Sequence, residues 1–155
     1  NAVINIYGGR FESACANERG YWVLNLKDNS NAAINVYGGT FINFDPSNSM
    51  TENPVKNFVA EGSTTVKVST TPAPNGTYEV VPAGGQASVP VEVNDAADLT
   101  GALFNPAIAK IAVASDIDLA SVPAENLSFT EHKTIDIKEG TTVRLGSASP
   151  ASQSA

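Results

Sequence analysis

The chain has 155 residues, a formal net charge of −7 and 42% apolar residues. That suffices for one medium domain or two small ones with a core that needs no disulfide staple, while the acidity argues against a phosphate-tracking nucleic-acid binder, which needs cationic surface to release counterions. A single cysteine, Cys15, excludes an intrachain disulfide or a Cys-rich zinc site, and no apolar run approaches the ~18 residues of a membrane span.

The chain opens on Asn1 rather than Met, shows no basic-then-apolar leader, and closes on small polar residues, 146–155, that read as a flexible tail. These ends suit a piece of a longer protein. From Asn1 the dominant feature is a repeat. Residues 1–11, Asn-Ala-Val-Ile-Asn-Ile-Tyr-Gly-Gly-Arg-Phe, align with residues 31–41, Asn-Ala-Ala-Ile-Asn-Val-Tyr-Gly-Gly-Thr-Phe, at an offset of 30 with eight of eleven positions identical. Ile4–Tyr7 alternates as a short strand, the glycine pair permits a sharp corner, and Phe11 follows as an apolar plug. Tyr21–Leu26 reads as a further strand closed by the turn cluster 27–30.

Such short strands cannot bury both faces alone; stacking one period on the next buries a continuous core, which is the logic of a solenoid. Strands at Ile34–Val36 and Ile4–Ile6 then pair in parallel. One register turns the aliphatics inward and stacks Asn5 and Asn35 outside; the other puts the asparagines inside as a ladder. The first buries more apolar surface and is preferred.

Together with Asn43–Asn48 and Asn57–Gly62, this pattern resembles the coils of right-handed parallel β-helices, the pectate-lyase-like repeat proteins of gut bacteria and their bacteriophages. The resemblance covers about residues 1–83. It implies an all-β, right-handed parallel β-helix segment formed from the C-terminal coils of a solenoid, serving as a scaffold for carbohydrate or receptor contact and in some members as a polysaccharide-cleaving enzyme.

Beyond Phe41 the period breaks. Residues 45–57 are polar with two prolines and read as a long loop, with re-entry at Phe58–Ala60. Thr64–Ser69 and Thr77–Val81, joined by a Pro- and Gly-containing turn, are expected as a hairpin-like closing coil ending at Pro82. Residues 83–88 form a small-residue linker.

A second unit, 84–145, then begins. Val89–Val93 is a predicted strand, and Asn94 or Asp95 caps a short helix over Ala96–Phe104, with Leu99 and Leu103 on one face and Asn105-Pro106 as the stop. Strands are expected at Lys110–Ala114, Leu127–Phe129, Thr134–Ile137 and Thr141–Leu145, while Ser115–Leu119 either extends its predecessor or turns. This small β-rich unit with one capping helix resembles the N-terminal cap of another β-helix; such a cap hides strand edges that otherwise recruit other chains.

No catalytic, cofactor or metal set emerges. His132, the only histidine, sits in a polar turn without a surrounding motif. Cys15 lacks a base nearby in the chain and is expected as a buried or incidental thiol. Asp116 and Asp118 share a strand face, and Asp45, Glu52 and Glu61 surround the long loop, but neither group supplies the six or so oxygens calcium wants; solvent-facing carboxylates are expected. The lyases of the resembled family use calcium-binding carboxylates with an arginine base, and Arg10, Arg19, Glu12 and Glu18 are too sparse to transfer that activity. Asn75 and Asn126 begin glycosylation sequons, expected to be unused in a bacterial or phage chain. Tyr7, Tyr37, Tyr21 and Trp22 are the candidate ligand-binding residues: Tyr7 and Tyr37 would stack as a ladder, a sugar platform if outward and core if inward, and a core or structural ladder is preferred because buried aromatics dominate packing energy.

The expected function is a non-enzymatic structural or binding module of a larger cell-surface or virion protein, acting in adhesion, glycan or receptor binding, or as a fibre scaffold. The alternative is a fragment of a polysaccharide lyase or glycoside hydrolase whose active site lies elsewhere in the parent chain. Expected partners are a glycan or cell-surface receptor, and another chain or copy at the open ends of the coils; nucleic acid is not expected.

Overall fold

The computed structural model describes residues 2–127 and 131–146. The repeat builds two stacked coils. In the first, β1 (Val3–Ile6) and β2 (Arg10–Phe11) meet at the Gly8-Gly9 corner, and a small antiparallel hairpin, β3 (Ala16–Asn17) with β4 (Gly20–Tyr21), follows as an excursion. In the second, β5 (Ala33–Val36) and β6 (Gly39–Ile42) meet at Gly38-Gly39. β1 pairs with β5 in parallel, Ile4 opposite Ile34 and Asn5 opposite Asn35, and β2 pairs with β6 in parallel, Phe11 opposite Phe41. A parallel bridge from Val36 to Val59 starts a third level, where Phe58–Ala60 re-enters.

The side chains take the register that buries aliphatics. Ile34 and Val36 are buried, whereas Asn35 Nδ2 donates to Asn5 Oδ1 at 3.0 Å on the outside. Phe11 stacks on Phe41 with ring centroids 5.0 Å apart, and Phe41 is fully buried. Gly9 and Gly39 take φ of 115° and 125°, a range that side chains with a Cβ rarely enter.

Polarity then reverses. β7 (Ser63–Ser69) and β8 (Thr77–Pro82) form an antiparallel hairpin, and β8 lies antiparallel to β6, giving the sheet order β2-β6-β8-β7. Because strand side chains alternate, the hairpin serves two cores. Val80 joins Leu24, Ile34, Val36, Phe41, Phe44 and Phe58, while Val66, Val68 and Val81 face the other way, toward residues after the linker.

There β9 (Val91–Val93), β10 (Lys110–Val113) and β12 (Thr134–Ile137) make a parallel sheet in the order β12-β10-β9, and β11 (Ile117–Asp118) pairs in parallel with β13 (Val143–Arg144). Between β9 and β10 runs α1 (Ala96–Phe104), which buries Leu99, Ala102 and Leu103 against that core. Its Asp95 N-cap accepts the Asp98 N–H at 2.8 Å. The result is a mostly β structure in a β-solenoid arrangement, with one short α-helix among the described residues.

Several expected strands are shorter or absent. Of Tyr21–Leu26 only Tyr21 is in a strand, paired locally to Ala16. The segment after it turns Leu24 into the core, and the Leu26 N–H donates to the Glu52 carboxylate at 3.2 Å instead of to a strand partner. β9 starts at Val91, after Pro90, which has no N–H to donate to a ladder. Ser115 and Asp116 form a corner before β11, and β13 is limited to Val143–Arg144. Leu127 ends a 3-10 turn, Ala124–Leu127, instead of opening a strand, and the remainder of that expected strand, together with the tail 147–155, lies outside the described residues.

Candidate functional site

The candidate aromatics fall into two places. Tyr7 and Tyr37 form an outward stack at the same corner of successive coils, with centroids 5.0 Å apart and planes 12° from parallel. This continues the Asn5–Asn35 pair two residues earlier and the Phe11–Phe41 pair four residues later. Tyr7 is 73% exposed.

Tyr21 and Trp22 lie at the β3–β4 excursion, held against the long loop. The Trp22 N–H donates to the Cys15 carbonyl at 2.9 Å, and Asn17 Oδ1 accepts the Arg19 N–H at 2.8 Å, so the tight hairpin presents residues 17–22 as a ledge. Two openings adjoin there, with Arg19 and Thr51 lining both. The smaller, about 100 Å³, lies between Tyr21, Asp45, Asn48, Asn75 and Tyr78. The larger, about 350 Å³, is walled by Trp22, Asn17, Glu18, Asn25, Asp28 and Asn53. Trp22 is 42% exposed at this cleft.

The loop 43–57 that closes the ledge is internally braced. Asp45 accepts both the Ser47 N–H and the Ser47 hydroxyl, and buried Glu52 reaches back to Leu26. Asn75 donates from its side chain to the Asn43 carbonyl at 2.9 Å. Burial pushes the Tyr78 phenol above its ordinary value, and the Asp45 carboxylate adds to the rise. Across the hairpin, Lys67 Nζ stands 5.6 Å from the Tyr78 ring centroid.

The other residues weighed from sequence do not converge. Cys15 is exposed, which leaves the incidental of its two expected roles and not the buried one, because the excursion that carries it runs over the surface. His132 is exposed in its turn. Asp116 accepts the Thr142 N–H at 2.7 Å and Asp118 the Ala120 N–H at 2.8 Å, so each carboxylate ties a corner. Asp45, Glu52 and Glu61 each go a separate way, Glu61 to solvent. Arg10 pairs with Glu12 at 3.3 Å on the surface. Among the described residues no three His, Cys, Asp or Glu side chains gather as a metal site, and no helix is long and apolar enough to cross a membrane.

Sequence reading singled out Tyr21 and Trp22 by residue type but missed the cleft walls. Thr51, Asn53 and Asn75 come from a loop and a turn far downstream of Tyr21 and Trp22, and no local pattern announces their arrival. A broader depression of about 620 Å³ runs between the β7–β8 hairpin and the parallel sheet, bordered by Glu92, Asp136 and Lys138. Glu92 is already occupied there, accepting from the Ser69 and Thr70 hydroxyls. Comparison with protein families, with curated proteins and with solved structures returns no match.

Proposed function

We propose that this chain is a non-enzymatic structural and binding module of a larger cell-surface or virion protein, in which a right-handed β-helical stack holds out the 17–28 ledge as a glycan-binding site. The observation that carries the reading is Trp22, 42% exposed on a cleft lined also by the amides of Asn17, Asn25 and Asn53, the carboxylates of Glu18 and Asp28, and the cationic Arg19 and Lys27. An aromatic face provides apolar contact for the C–H surface of a sugar ring, while amides and carboxylates meet its hydroxyls. Tyr21, on the adjoining opening, extends the surface toward Asn75. Tyr7 and Tyr37 serve the stack. In the same reading residues 84–145 act as a cap-like unit that follows the first coils.

Trp22 is the only tryptophan, so its fluorescence reports on the site directly. Titration with a panel of neutral oligosaccharides is expected to shift or quench its emission. Calorimetry is expected to show binding lost in Trp22→Ala and kept in Tyr7→Ala. Absence of binding to any sugar at millimolar concentration, or binding that survives Trp22→Ala, overturns the assignment. Cleavage of an acidic polysaccharide by this chain favours instead a polysaccharide lyase or hydrolase.

A further inference from the structure

The first coil carries features that its own surroundings do not use. In the second coil Gly38 is demanded by contact: a Cβ there would lie 2.7 Å from the Tyr7 carbonyl oxygen of the coil beneath, and one on Gly39 would lie 3.0 Å from the Gly9 carbonyl oxygen. Thirty residues earlier, a Cβ on Gly8 would meet nothing within 4 Å, and Gly8 is not held at positive φ. Other positions of the repeat behave alike. Ile34 is 8% exposed above Ile4, which is 55% exposed, and Tyr37 rests on Tyr7, whose own far side is open. The N–H groups of Ala33, Tyr37 and Thr40 donate to the carbonyls of Ala2, Ile6 and Gly9 in the coil beneath. Their counterparts in the first coil, Val3, Tyr7 and Arg10, have no backbone acceptor among the described residues.

We propose that the free face of β1 and β2 is a docking surface for one more parallel coil of the same grammar, Ile-Asn-Ile/Val-Tyr-Gly-Gly-x-Phe, supplied in cis by polypeptide leading into residue 1. The occupant is specified by the pair already in place: a coil that puts Asn under Asn5, Tyr under Tyr7 and a carbonyl against Gly8 repeats every contact that the first coil makes with the second. A second copy of this chain fits poorly. In each copy the upper side of the motif is filled by its own second coil, so two copies meet there only through identical free sides, running antiparallel. The exposed edge of β12 carries Lys138 where the motif has its tyrosine and Glu139 where it has the first glycine of the pair, ahead of Gly140. This inference stands on the coil geometry and is independent of the glycan assignment, so its failure leaves the Trp22 cleft untouched.

The test places a tandem copy of residues 1–30 ahead of residue 1 and introduces Gly8→Ala with and without that extension. In the 155-residue chain Gly8→Ala is expected to leave the melting temperature within a degree or two. In the extended chain it is expected to lower it by at least 4 °C, because the added methyl then meets a carbonyl. Amide exchange at Val3, Tyr7 and Arg10 is expected to slow at least tenfold on extension. Equal effects of Gly8→Ala in both backgrounds, unprotected amides in the extended chain, or loss of its cooperative melting overturn the proposal. Slow exchange of those amides in the unextended chain at high concentration also overturns it, and assigns the face to a second copy.

Discussion

Asn43 sits at a left-handed backbone position, φ 56°, that asparagine tolerates better than most residues, and every polar group it owns is engaged. Its N–H donates to the Gly76 carbonyl at 2.7 Å and its Nδ2 to the Ala73 carbonyl at 2.9 Å, while Oδ1 accepts the Asn75 N–H at 2.8 Å. Asn43→Asp keeps the shape but turns the Nδ2 donor into an oxygen facing a carbonyl, and a loss of about 1–3 kcal/mol is expected in urea denaturation. Lys133 makes a comparable knot in the second core: its side chain is 1% exposed, and Nζ donates to the Asn105 carbonyl at 2.7 Å and the Ile108 carbonyl at 2.5 Å. Lys133→Met leaves those carbonyls unmet and is expected to cost about 1.5–3 kcal/mol. Tyr78 bears on alkaline stability. Its phenol holds its proton more tightly in the folded chain, so the unfolded chain releases one first above about pH 10. The contribution is whole below that pH and fades as pH climbs through the raised folded value; Tyr78→Phe is expected to flatten this part of the melting-temperature profile above pH 10.

At the scale of elements, α1 was the most legible. The Leu99–Leu103 spacing, a cap at Asn94 or Asp95, which the structure assigns to Asp95, and the Asn105-Pro106 stop each lie within a few residues of what they control, and the helix runs Ala96–Phe104 as expected. Asp95→Ala removes the acceptor of the Asp98 N–H and is expected to lower stability by about 1 kcal/mol, read by thermal melting. The parallel pairing of β1 with β5 was legible for a different reason: a near-identical repeat dictates its own register. Tyr21–Leu26 misled because its aromatic and aliphatic residues satisfy a strand pattern locally, while the partner that captures the Leu26 backbone is Glu52, 26 residues on. The cleft was illegible on the same grounds. Trp22 can be picked out by type, but whether it faces core or solvent depends on a loop whose path is set by its own Asp45, Ser47 and Asn43 hydrogen bonds.

On the scale of the whole molecule, the β7–β8 hairpin joins two apolar cores, Val80 belonging to one and Val66, Val68 and Val81 to the other. Damage to either core should therefore be felt by both. Phe41→Ala, in the first, and Ile111→Ala, in the second, are each fully buried truncations expected to cost about 3–5 and 2–5 kcal/mol. Each is expected to move a single calorimetric transition; separate transitions for the two variants would show that the hairpin does not couple the cores. The reversal of strand direction at β6 and β8 has an additional effect. A parallel ladder can be extended only by a neighbour that runs the same way, and β8 breaks that condition on one side of the second coil. Chain-to-chain templating along the β2–β6 ladder is thereby blocked in one direction, which guards this pair of near-identical rungs against cross-β growth toward its C-terminal side.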